Sequence, residues 1–150
     1  MIFVVVDAQF FGVDCKELCI YDGTRIAHYL FKPRIPEHIL SMATKRNYIY
    51  MQKSIHGLKY TDGYINYKDI KNILRNHLQN VHTIYVKGKI KENFLKYYVG
   101  DLNIKNIENE VDAPKLDIDK PLCMCHELLL CKCSLTNCIK LHNWLLTKLP

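Results

Sequence analysis

Apolar positions dominate the first segment. "IFVVVDAQF" is almost continuously hydrophobic, the pattern of a strand covered on both faces, and predicts a central strand. "KELCIYDGT" alternates through Leu18, Ile20 and Asp22, and "RIAHYLFKP" returns as a strand that Pro33 stops. The short Asp22-Gly23 connection makes this pair a hairpin. From Pro36 to Tyr67 the pattern weakens. "EHILSMATKRNYIYM" predicts a short helix and "HGLKYTDGY" a loop.

The second half alternates more clearly. Asn66, with Asp69 three residues later, predicts a capped helix whose Ile70, Ile73, Leu74 and Leu78 share one face. "HTIYVKG" reads as a strand, "KENFLKYYV" as a helix closed by Gly100, and "LNIKNIE" as another short strand. "DAPKLDIDKP" is a loop. A last helix starts near Ser134, with Leu135, Ile139, His142 and Leu146 on its inner face and Trp144 at the edge. The order predicts an α/β fold over residues 1–150 as one domain. It has a three-strand antiparallel meander, then strand–helix alternation, giving a mixed sheet flanked by helices. That is the RNase H-like layout.

Composition narrows the picture. With 49% hydrophobic and 24% charged residues, 150 residues can bury a core of ordinary size. Asp7 interrupts the first apolar run, and there is neither a basic leader nor a small-residue cleavage site. Neither a signal peptide nor a membrane span is therefore expected. Seven cysteines without an export signal point to a reducing, intracellular setting, cytoplasmic or nuclear, where clustered thiols bind metal or stay free. A net charge of +6 favours a polyanionic partner where the excess gathers on one face.

The richest chemistry lies in "CMCHELLLCKC", residues 123–133, with four cysteines and a histidine. Cys123-x-x-His126 places two metal-ligand types on one local turn, and Cys133 follows at the start of the last helix. Buried free thiols are the competing reading, and Cys125 and Cys131 are alternative ligands.

"C-M-C-H-E" followed by "C-S-L-T-N-C" resembles the end of the Maelstrom domain, a family derived from DEDD-type exonucleases with an RNase H-like fold. Cys123, His126, Glu127, Cys133, Leu135 and Cys138 match that pattern in order, with a shorter gap between His126 and Cys133. "KELCIYDGTRIAHYLFKPRIP" and "HGL" are similar to its earlier strands and to the segment before its middle helix. The HMG box that precedes the domain in many members is not in this sequence. The resemblance implies a structural zinc ion held by Glu17, Cys123, His126 and Cys133.

It also implies an ancestral two-metal exonuclease site, which needs four carboxylates. The matching positions carry Asp7, Gln9, Lys91, Lys132 and Asn137, so only Asp7 is retained. A lysine in a Mg²⁺ cradle repels the ion, and the ancestral 3′–5′ exonuclease activity is expected to be lost. "KGKIKENFLKYY" offers Lys87, Lys89, Lys91 and Lys96 with Phe94, Tyr97 and Tyr98 among them. Lysines contact phosphates and aromatic rings stack on bases, so single-stranded RNA is the expected partner. A solvated helix with a buried aromatic stripe is the competing reading.

Three functions follow. The first is a zinc-stabilised, degenerate exonuclease-like domain that binds single-stranded RNA, as in small-RNA silencing of transposons, or a viral or transposon-derived relative. The second is an RNase using His56, His126 and Lys132. The third is a protein-interaction module.

Overall fold

Three antiparallel strands open the chain: β1 (Phe3–Phe11), β2 (Asp14–Tyr21) and β3 (Ile26–Leu30). The computed structural model describes residues 2–100 and 102–149. Two further strands, β4 (Thr83–Val86) and β5 (Ile104–Asn106), add in parallel on the other side of β1, giving the order β3-β2-β1-β4-β5. Four helices accompany the sheet: α1 (Met42–Met51), α2 (Ile70–Leu78), α3 (Lys89–Val99) and α4 (Ser134–Lys148). This mixed sheet is consistent with an RNase H-like α/β fold, as the element order predicts. Among the described residues no helix is long and apolar enough to cross a membrane.

β1 is central because both of its faces are covered. Val4, Val6 and Ala8 enter one core with Leu74, Leu78 and Leu95 from α2 and α3. Val5 enters a second core with Leu141 and Leu145 from α4. Each fully buried leucine contributes about 1.5–3 kcal/mol. The α2 stripe is Ile70, Leu74 and Leu78, at the expected helical spacing. Asn66 precedes a 3-10 turn (Tyr67–Asp69) and its side chain makes no cap hydrogen bond there. In the weakly patterned segment, Ser41 starts α1 by accepting the Thr44 amide at 3.1 Å.

The inner face of α4 is rotated from the predicted one. Cys138, Leu141, His142 and Leu145 are buried, Leu135 and Ile139 sit at the margin, and Leu146 is 60% exposed. The rotation follows from the first turn, where Ser134 and Asn137 are held inward by polar contacts to the sheet.

One irregularity sets which side chains reach that face. β1 and β2 pair Gln9 with Glu17 but Phe10 with Cys15, so Lys16 is the extra residue of a bulge. Cys15 therefore joins Leu18 and Ile20 in the α2/α3 core. Glu17 is turned to the α4 side, where Cys19 packs. Lys16 itself is buried, donating to the carbonyls of Phe31 (2.8 Å), Tyr60 (2.7 Å) and Asp62.

Candidate metal centre and adjoining cleft

Glu17 projects from β2 beneath the first turn of α4 and is fully buried. Burying a carboxylate is unfavourable unless its oxygens are satisfied. Here Oε1 accepts the Ser134 amide at 2.8 Å, and Oε2 lies 3.0 Å from His126 Nε2 and 2.8 Å from His28 Nε2. Cys123 Sγ is 3.3 Å from the same Oε2 and 3.6 Å from Cys133 Sγ, while Cys133 Sγ lies 4.0 Å from Oε2. One donor atom each from Glu17, Cys123, His126 and Cys133 falls within 4.8 Å of all the others. This cluster could hold a metal ion.

Three chain segments bring the four together. Cys133 is the residue that begins α4, and the 123–133 loop returns alongside the α1 extension. That extension, a π-helical turn over Gln52–His56, ends at Gly57 with φ 66°. Gly57 accepts the Glu127 amide at 2.8 Å, and a Cβ there would meet the Glu127 and Leu128 amide nitrogens at 3.2 and 3.0 Å. A left-handed residue without a side chain is thus what lets the loop dock. The His56 carbonyl accepts from His126 Nδ1, which directs Nε2 at the cluster. A backbone carbonyl on the far nitrogen is the usual way an imidazole ligand is oriented.

The electrostatics are those of a site with too many acids for its own cations. Burial alone would raise the Glu17 carboxyl, but hydrogen bonds from His126 and His28 hold it well below the ordinary range. Cys133 is pulled down to about 3, chiefly by the hydrogen bond from Cys123, whose own thiol is pushed up. Burial would lower His126, yet Cys133 and Glu17 raise it to about 11. A carboxylate and a thiolate therefore share one imidazolium.

Of the alternative thiols, Cys125 forms a second donor group with His28 and Cys123. Cys131 is buried and joins neither donor group, its backbone bridging Asp119 instead. His28 was missed by the sequence reading. The only signal was an imidazole in a strand otherwise made of apolar residues.

The five positions matched to the two-metal site also gather on this face. Asp7 is fully buried; Lys91 Nζ pairs with its Oδ1, and Asn137 Nδ2 donates to its Oδ2 at 2.9 Å. Gln9 Nε2 approaches the same oxygen at 3.5 Å. Burial raises the Asp7 carboxyl, and Lys91 opposes that rise. Lys132 joins Gln9, His56 and Lys91 in lining a cleft of about 260 Å³. Where two cations would need a carboxylate cage, this cleft is lined by two lysines and no carboxylate, with Asp7 buried behind Lys91.

The four lysines proposed for RNA do not form one rim. Lys91 points inward to Asp7, and Lys87 donates to the Pro114 carbonyl. Lys89 and Lys96 flank Glu92 at 3.3 and 2.9 Å, and they hold its carboxyl down to about 2, Lys96 foremost. Nor do the histidines form a proton shuttle. His126 uses one nitrogen on Glu17 and the other on the His56 carbonyl. His56 donates Nε2 to the Phe10 carbonyl and accepts the Leu58 amide at Nδ1, each at 3.1 Å. Neither imidazole has a ring nitrogen free for a substrate.

No protein-family model matches this chain, and no curated protein matches it.

Proposed function

We propose that this chain is a zinc-clamped, catalytically degenerate exonuclease-like domain, related to the Maelstrom domain, that binds single-stranded RNA. The observation that carries the reading is the filled acidic site. On an RNase H-like sheet, Asp7 is satisfied by Lys91, Asn137 and Gln9, and Lys132 lines the same cleft. A lysine ammonium beside a lone carboxylate excludes divalent cations by repulsion. The Lys132 ammonium, paired with no carboxylate among the described residues, suits phosphates.

Zinc is the ion that the donor chemistry favours. Two thiolates and an imidazole select a borderline-soft cation over Mg²⁺ or Ca²⁺. A tetrahedral site with ordinary zinc–ligand lengths separates its ligands by about 3.8 Å (S–S), 3.6 Å (S–O) and 3.4 Å (N–O). The separations here are 3.6 Å for the thiols, 3.3 and 4.0 Å for sulfur to oxygen, and 3.0 Å for nitrogen to oxygen. When bound, the ion supplies structural cross-linking, not chemistry, because all four positions are protein ligands. His126 Nε2 and the Cys123 thiol give up protons to accept it, which makes affinity rise with pH.

Two measurements test the proposal. Elemental analysis after gel filtration is expected to find about one zinc per chain; protein that folds and melts identically with and without zinc overturns the clamp. Fluorescence anisotropy with a labelled single-stranded RNA is expected to show salt-dependent binding that Lys132→Gln weakens. The log–log salt slope should become shallower by about 0.7 per lost phosphate contact. Absence of binding at low salt overturns the RNA reading and favours a protein-interaction module. A magnesium-dependent exonuclease that disappears in Asp7→Ala overturns the degenerate site.

A further inference from the structure

Beside the lysine-lined cleft runs a second, larger groove of about 660 Å³, between α3 and the β1–β2 turn. α3 buries Leu95 in the core but turns Ile90, Asn93, Phe94 and Tyr97 along this groove, the i, i+3, i+4, i+7 stripe of one helical face. A stripe of this kind normally meets another element. Here only Phe94 packs partly against the core, and the ends of the stripe meet open space: Ile90 is 69% exposed, Tyr97 82%, and Val13 across the groove 88%.

The rings are arranged as a platform. Phe10 from β1 packs edge-on to Phe94 at 5.4 Å, Phe94 to Tyr98 at 5.3 Å, and Tyr98 to Tyr97 at 4.9 Å. Tyr98 and Phe94 are thereby fixed by ring neighbours, while Tyr97 projects from the end of the series. Arg34 lines the groove too, its Nε held 3.2 Å from both oxygens of Asp14. Phe10, Gly12 and Ile90 line both this groove and the cleft containing Lys91 and Lys132, so the two depressions adjoin.

An apolar, aromatic trough joined to a basic one has the division of a single polynucleotide strand, with bases on one side and phosphates on the other. A duplex hides its base faces and does not fit that division. We propose that the aromatic groove is a base-stacking subsite, in which unpaired bases of an RNA strand lie against Tyr97 and Phe94 while its phosphates pass Lys132. The volume lies within the roughly 300–1,000 Å³ usual for small-molecule sites, enough for a nucleoside. This inference rests on the single-stranded RNA reading above and locates its bases.

The test uses the full chain with two fluorescent probes: a ten-nucleotide uridine RNA and an abasic ribose-phosphate oligomer of equal length. Tyr97→Ala is expected to lower affinity for the uridine RNA roughly 5- to 140-fold, the loss of one stacked base. Its salt slope and its affinity for the abasic oligomer should stay unchanged, and Tyr97→Trp should restore binding. Tyr97 is exposed, so all variants should melt with the parent. If the parent binds the uridine RNA and Tyr97→Ala binds equally well, the stacking subsite is overturned while the RNA reading stands. Equal parental affinity for both probes has the same meaning. If the parent binds neither probe at low salt, the RNA reading fails and takes the subsite with it.

Discussion

Replacing Cys133 with serine separates a metal clamp from a merely buried polar cluster, because the two make opposite demands on that position. Cys133 is the N-cap residue of α4, with extended backbone (φ −122°, ψ 126°). Serine is among the best residues for such a position, worth about 0.5–2 kcal/mol over a non-capping side chain. Without a metal, that cap offsets the loss of the thiolate facing Cys123 and His126, so Cys133→Ser is expected to change stability little. With zinc, it removes one of two thiolate ligands. At free zinc a thousand times the dissociation constant, binding to the native state alone contributes about 4.1 kcal/mol. For a chain of 150 residues, 1 kcal/mol moves the melting temperature by roughly 2–4 °C. Loss of the ion is thus expected to lower it by about 8–16 °C. Circular dichroism melts of parent and variant, each in buffered zinc and in chelator, read this directly. The gap should be wide in zinc and narrow in chelator. Cys19→Ser supplies the control, a buried thiol outside the cluster whose effect should be the same in both buffers. A Cys133→Ser protein that melts with the parent in saturating zinc refutes the clamp.

Two buried side chains give further tests. Burial lowers His56 to about 4, so its folded value lies below its unfolded one of about 6.5. The neutral imidazole's contribution is complete above pH 6.5 and is lost as pH falls toward 4, amounting to about 3 kcal/mol. Urea midpoints across that range are expected to fall less steeply in His56→Asn; parallel slopes would remove His56 from the account. Lys16 is lowered to about 8 by burial, yet its ammonium serves three backbone carbonyls. Lys16→Met strands those acceptors and is expected to destabilise the fold by about 3 kcal/mol and to speed amide exchange around residues 60–62, with no change in zinc content. Unaltered exchange there would contradict it.

Much of this arrangement was legible from residue pattern, and the exceptions share a cause. Strand order followed from apolar runs and turn residues because those signals are local. The cysteine-rich loop stood out because Cys123, His126 and Cys133 lie close in sequence. What could not be read was the side to which a residue points once alternation is broken. The bulge at Lys16 leaves no compositional mark, yet it puts Cys15 and Glu17 on opposite faces. Glu17, as a strand carboxylate, had solvent exposure as its ordinary expectation, and its burial depends on partners from three distant segments. His28 was invisible too, since its partner lies on the neighbouring strand and only there because the bulge turns Glu17 inward. The α4 stripe was misplaced because Ser134 and Asn137, polar residues that a hydrophobic count ignores, set the helix's rotation.

The separation of the cluster's members along the chain carries a consequence for synthesis. Glu17 lies 106 residues before Cys123 and 116 before Cys133. At about 5–20 residues per second, roughly 6–23 s pass between the emergence of Glu17 and that of Cys133. Throughout that interval the sheet face bearing Val5 and Cys19 has no α4 to cover it, and Glu17 can meet His28 but not His126. The nascent protein is therefore a half-covered sheet, dependent on the ribosome's surroundings to stay unaggregated. Closing so long a loop adds little penalty, since each doubling of length costs only about 0.6 kcal/mol. Under the zinc proposal, metal supply bears on the last event of biogenesis, and a chain terminated before Cys133 cannot complete the cluster however much metal is present.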